Sequence, residues 1–143
     1  LRARRLLDRC CQEIRNSAVQ TDKYGYSDRI GILYQLLGET SLGIRHWMDW
    51  YTDRTQYADW YLTLSPERLL ACDEELVRIL YAQSDGLQNA LRCGMPVEEK
   101  TITRYLHTAQ TARLRLQQCG SRYTRLIDEL TAPFNGTEED TIH

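Results

Sequence analysis

Lysine is almost missing from this chain of 143 residues, where two lysines stand against sixteen arginines. Phenylalanine occurs once and proline three times. With few β-branched runs as well, that composition argues against a sheet. Net charge is only −2, so nothing general favours nucleic acid as a partner. The five cysteines, Cys10, Cys11, Cys72, Cys93 and Cys119, are odd in number and contain no Cys-x-x-Cys pair. That argues against a secreted disulfide framework and points to reduced cytoplasmic or organellar thiols packed as small hydrophobes. No apolar run approaches the roughly 18–20 residues of a membrane span, and no signal peptide is visible. The chain begins at Leu1 rather than Met, which implies residues upstream: a targeting peptide, a membrane anchor, another domain or a tag.

Chemical signatures are missing too. There is no Gly-rich phosphate loop and no Gly-x-Ser-x-Gly elbow. The three histidines, His46, His107 and His143, frame no nucleophile. A di-iron bundle needs Glu-x-x-His pairs on two helices, and none exists here. The expectation is a protein that is not an enzyme and holds no metal or cofactor.

What the chain does have is one aromatic stretch, Leu42–Leu62, with all three tryptophans and six of the thirteen aromatic residues. Placed on a helix at about 100° per residue, Ile44, Trp47, Met48, Trp50, Tyr51, Tyr57, Ala58, Tyr61 and Leu62 share one half of the circumference. Arg45, His46, Asp49, Asp53 and Asp59 share the other. Arg54 falls in the middle of the apolar half, and Trp60 falls among the acids.

The rest of the chain also reads as helix. Residues 2–19 form a first helix with Leu6, Leu7, Cys10, Ile14 and Ala18 at helical spacing and a basic start at Arg2, Arg4, Arg5 and Arg9. Residues 21–27 read as a turn, and Ser27 starts a helix whose apolar stripe is Ile30, Leu33, Leu36 and Leu37. Gly38 suits the position just past its end. Ser65-Pro66 is the clearest punctuation, an N-cap followed by proline in the first turn. Leu69, Leu70, Leu76, Val77, Leu80, Tyr81, Leu87 and Leu91 then form a stripe up to Gly94-Met95-Pro96. A last long helix opens at Val97 with Ile102, Tyr105, Leu106, Ala109, Ala112, Leu116, Tyr123, Ile127 and Leu130 as its core stripe. Gly120-Ser121 is placed to bend or split it. The sum is an all-α protein, a bundle of four to five helices with two long C-terminal helices, in one domain over 1–131. Residues 132–143 read as a polar acidic tail.

Four sets of residues offer chemistry. His46, Asp49 and Asp53 have spacing that can bind a divalent metal, and equally that of a solvated polar face. Arg104, Arg115 and Arg122 form a basic stripe on the last helix, flanked by His107 and Arg125. Arg54 among rings must meet a carboxylate, stack on a ring or reach an interface, because an unpaired guanidinium in a core is costly; Asp73 is a candidate partner. Trp60 on a polar face has the character of an interface anchor.

Leu37-Gly38-Glu39-Thr40 followed by Trp47 is similar to the Leu-Gly-Glu-Thr…Trp signature of the RbcX family of Rubisco assembly chaperones. Glu75-Leu76-Val77-Arg78-Ile79-Leu80 resembles that family's Leu-x-Leu-Arg-Ile segment, one residue out of register. Cys93-Gly94-Met95-Pro96 falls where the family has a proline-containing kink. The resemblance covers residues 37–96. It implies a small all-helical homodimer that clamps an extended client peptide, with Trp47 and Arg78 as the positions that carry over, and an organelle stroma as a compartment. The chain departs from the pattern in having Leu42-Gly43 where the family has Pro-Pro, and in lacking the Tyr-Gln-Ala groove motif.

The functional expectation is a non-catalytic module that binds another protein or a peptide segment, as an adaptor or assembly chaperone and as a homodimer. Its partner-binding residues are Trp60, Arg54, Trp47, Arg78, Tyr57, Arg104, Arg115 and Arg122. Two other classes fit the same sequence. One is a regulatory or scaffolding domain of a membrane-associated protein, with Arg2–Arg9 beside the bilayer. The other is a helical bundle sensing a small ligand or metal.

Overall fold

A computed structural model describes residues 2–16 and 24–142. Among them there are seven helices and no strand: α1 (Arg2–Asn16), α2 (Ser27–Leu36), α3 (Thr40–Tyr61), α4 (Pro66–Ala71), α5 (Asp73–Arg92), α6 (Glu99–Gln118) and α7 (Thr124–Ile142). The all-α expectation holds. Residues 17–19 of the expected first helix and 21–23 of the expected turn lie outside the described residues, as does His143.

Local chemistry sets most of the boundaries. Ser65 has extended backbone, its hydroxyl accepts from the Arg68 amide, and Pro66 opens α4, as its sequence signal requires. Gly38, Gly94 and Gly120 follow α2, α5 and α6 with φ of 82°, 77° and 79°, a left-handed conformation that side chains with a Cβ rarely adopt. Two breaks raise the helix count above the expected four or five. Cys72 leaves helical geometry at φ −128° and separates α4 from α5. Gly120 ends α6, so the expected last helix is two. The breaks are tied together, because the Ser121 hydroxyl donates to Asp73 Oδ2 at 2.8 Å. The boundary expected at 131/132 falls inside α7, and Phe134 is buried edge-on against Tyr105 with ring centroids 5.7 Å apart.

The chain divides into two compact units. The first comprises Leu1–Asp53 and Asn89–Pro96; the second comprises Arg54–Gln88 and Val97–His143. In the first, α2 and the start of α3 touch through backbone. A Cβ at Gly31 would sit 2.6 Å from the Gly43 carbonyl oxygen and 2.9 Å from the Trp47 amide nitrogen. Trp47, Trp50 and Tyr51 are buried beside this contact, and Trp47 stacks on Tyr51 at 5.0 Å. Tyr34 stacks on His46 at 5.3 Å with planes 8° apart, and Leu7, Cys11 and Ile30 close around Tyr34. Its hydroxyl donates to Asp8. Burial, then that bond, then the bond with Cys11 hold the phenol well above the ordinary tyrosine range.

Three expected stripes are corrected. In α1, Leu6 and Cys10 are exposed, and Cys11 is buried with Leu7. In α2 only Ile30 of its predicted stripe is buried; Leu33, Leu36 and Leu37 are exposed, and Gly31 and Tyr34 face inward instead. In α4–α5, Leu70, Tyr81 and Leu91 are exposed. Most of the α6–α7 stripe is observed: Tyr105, Ala109, Ala112, Leu116, Ile127 and Leu130 are buried, while Ile102, Leu106 and Tyr123 are half-buried. The second unit also buries polar groups, each satisfied. Gln83 Nε2 donates to Thr55 Oγ1 at 2.9 Å, Ser84 Oγ to the Leu130 carbonyl at 2.8 Å and Tyr105 Oη to the Leu80 carbonyl at 2.8 Å. Buried hydrogen bonds of this kind contribute about 1 kcal/mol each, and an orphaned partner costs more.

The Gly31–Gly43 contact gives a prediction opposite in sign to helix propensity. An exposed helical Gly→Ala change stabilises by up to about 1 kcal/mol. Gly31→Ala here is expected to destabilise by about 1–3 kcal/mol through overpacking against backbone. Urea unfolding measures it; a midpoint at or above that of the parent protein contradicts the contact.

Candidate functional site

The aromatic helix α3 divides its rings between interior and surface. Toward its start, Trp47, Trp50 and Tyr51 are at most 4% exposed. At its end, Tyr57 is 45% and Trp60 57% exposed. These two are three residues apart, about one helical turn, so their rings emerge on one side of the helix. Trp60 makes a T-shaped contact with Tyr61, ring centroids 5.1 Å apart.

The end of α3 is held firmly. The last carbonyls of a helix lack intrahelical donors. Thr63 Oγ1 donates to the Trp60 carbonyl at 2.6 Å, and Arg115 Nη1 and Nη2 donate to the carbonyls of Leu62 and Leu64. Asp59 beside Trp60 binds Arg104 at 3.2 Å. A large aromatic surface on a capped helix end binds with little ordering of its own, which favours affinity.

The residues expected to bind a partner are therefore dispersed. Tyr57 and Trp60 are adjacent and exposed. Arg54, one turn earlier, is half-buried and engaged in an interaction of its own; Asp73, its expected partner, accepts from Ser121. Trp47 has no exposed surface. Arg78 is exposed and pairs with Glu74 on its own helix at 2.7 Å. The basic stripe is not continuous: Arg104 pairs with Asp59, Arg115 caps α3, and Arg122 lies past the end of α6, over the Tyr123 ring at 5.0 Å. His46 is buried rather than on a solvated face, and no group of three or more metal-ligating side chains is present among the described residues.

Sequence reasoning missed the role of Arg115. Its signal was weak, a basic residue next to the buried Leu116 and one turn after the buried Ala112, with the carbonyls it binds about fifty residues away in sequence. An open groove of about 540 Å³ between α6 and α7 was not foreseen either. It is lined by His107, Gln110, Arg113, Asp128, Thr131 and Asn135. The guanidinium of Arg113 already makes two bonds to Asp128, at 2.7 and 3.3 Å, so the groove offers no uncommitted charge from that pair. Cys72 is a poor nucleophile, since burial, then Glu75 and Asp73, push its thiol up. No helix among the described residues is long and apolar enough to cross a membrane.

Arg115 and Arg78 should respond differently to truncation. Arg115→Ala removes donors to two carbonyls of the turn between α3 and α4, and thermal or urea unfolding should show a loss of about 1–3 kcal/mol. Arg78→Ala, losing one exposed pair, should stay within about 0.5 kcal/mol. Equal effects would show that Arg115 does not secure the end of α3. Comparison with protein-family models, curated proteins and solved structures finds no match for this chain.

Proposed function

We propose that the protein is a non-catalytic helical interaction module that binds another protein through an extended segment, as an adaptor or assembly chaperone and as a homodimer. One observation carries the reading: Trp60 and Tyr57 stand exposed on one side of the end of α3, while Trp47, Trp50 and Tyr51, earlier on the same helix, are buried. Trp and Tyr are the residues most enriched where binding energy concentrates. Arg54, one turn earlier on α3, is half-buried and keeps an interaction within the protein. Arg104 and Arg78 act at the rim, where charges steer approach more than they add affinity. Arg115 and the buried Trp47 contribute by holding α3 in place, and Arg122 is a further rim charge. The local similarity to RbcX-type chaperones supports the same class of activity, with a helical-bundle scaffold presenting the client surface.

Affinity capture with cross-linking from the native source, comparing the parent protein with Trp60→Ala, tests the reading. Trp60→Ala should lower recovery of the specific partner by at least about tenfold, the effect of losing a central aromatic anchor, with far-ultraviolet circular dichroism unchanged. Undiminished recovery with the fold intact would overturn Trp60 as the anchor.

A further inference from the structure

A second exposed surface lies in the first unit, and its chemistry differs from that of the Trp60 face. Helices α1 and α2 run antiparallel, because Arg4 binds Glu39 at 2.7 Å while Asp8 and Cys11 both reach the Tyr34 hydroxyl. Leu7 and Cys11 face α2, and Ile30 and Tyr34 face α1. At 3.6 residues per turn, Cys10 and Leu6 then lie about 80° and 120° around α1 from the contact line. Leu37 and Leu33 lie about 40° and 80° around α2 in the same rotational sense, with Leu36 beyond them. In an antiparallel pair that sense brings both sets to one side. Gly31, which packs on α3, is rotated the other way by about 80°, so the leucines lie on the side of the pair opposite α3.

All of these side chains are open: Leu6 is 52%, Leu33 49%, Leu36 67% and Leu37 45% exposed, and Cys10 is exposed. The charges bordering them are mostly of one sign. Arg2 and Arg9 fall at the outer edge of α1 and Arg29 at the outer edge of α2, with Glu13 the one acid on that side among the described residues. The three arginines are exposed, and among the described residues none of them forms an ion pair. A leucine strip bordered by arginines is the pattern of a helix surface lying in a membrane interface, where the apolar residues enter the acyl boundary and the guanidinium groups reach lipid phosphates.

We propose that the Leu6–Leu33–Leu36–Leu37 face of α1 and α2 docks on an anionic lipid surface. The arginines commit it to lipid rather than to a second copy: pairing the face with itself would bring Arg2, Arg9 and Arg29 toward their own counterparts. Such docking needs no membrane span and uses neither Tyr57 nor Trp60.

Co-sedimentation of the full chain with phosphatidylserine-containing and pure phosphatidylcholine vesicles tests it. Binding should require phosphatidylserine and fall at high salt, because screening shortens the reach of the arginines. Leu33→Ser and Leu37→Ser should each lower partitioning on the order of tenfold, and Arg9→Glu by at least about fivefold. These positions are exposed, so unchanged circular dichroism and unchanged Trp60-dependent partner capture should accompany the loss. Equal binding to both vesicle types, no binding to either, or full binding by Leu33→Ser/Leu37→Ser overturns the proposal. So does a dimer, seen by light scattering, that dissociates on those substitutions while vesicles remain unbound.

Discussion

The backbones of α2 and α3 meet where Gly31 faces the Gly43 carbonyl, and the interior of the first unit depends on that approach. With no side chains in the way, Trp47 lies directly against α2, and the Trp47–Tyr51 and Trp47–Trp50 pairs fill the space beside it. The same approach brings Tyr34 over His46, and Tyr34 in turn holds α1 through Asp8 and Cys11. Glycine, tyrosine and isoleucine thus supply the inner face of α2. Its leucines are left outside, and the surface proposed to meet lipid is a consequence of how the interior is packed.

The second unit is stabilised differently. Its apolar stripe along α5, α6 and α7 is interrupted by Gln83, Ser84 and Tyr105, whose polar atoms find partners on other segments. A satisfied buried bond adds little net stability, but its geometry admits few alternatives. These bonds fix how α5 lies against α6, α7 and the end of α3. Arg115 extends the same logic to the turn that follows α3, where it binds the Leu62 and Leu64 carbonyls.

Much of this was legible in the sequence where a single residue decides the local backbone. Ser65-Pro66, Gly38, Gly94 and Gly120 mark boundaries because capping and left-handed φ leave few other choices. The α6–α7 core was legible because its apolar positions form one unambiguous stripe. Spacing could not say which face of α2 is buried, since Ile30, Leu33, Leu36 and Leu37 fit one stripe while Gly31 and Tyr34, which fit it less well, make the real contact. His46 was misplaced for a related reason: an imidazole reads as polar, yet against the flat ring of Tyr34 it packs as an aromatic plane. Trp60 was legible as an oddity, since a tryptophan among acids contradicts its own helix face. The cap that Arg115 supplies was not, because it joins segments far apart in the chain.

Helix α3 apportions its tryptophans two to the interior and one to the surface. Acrylamide quenching of intrinsic fluorescence measures this directly. It should resolve an accessible component and a shielded one, and the accessible component should vanish in Trp60→Phe while the shielded one is unchanged. An accessible component that survives Trp60→Phe would place Trp47 or Trp50 at the surface and contradict the division of α3 on which the functional reading rests.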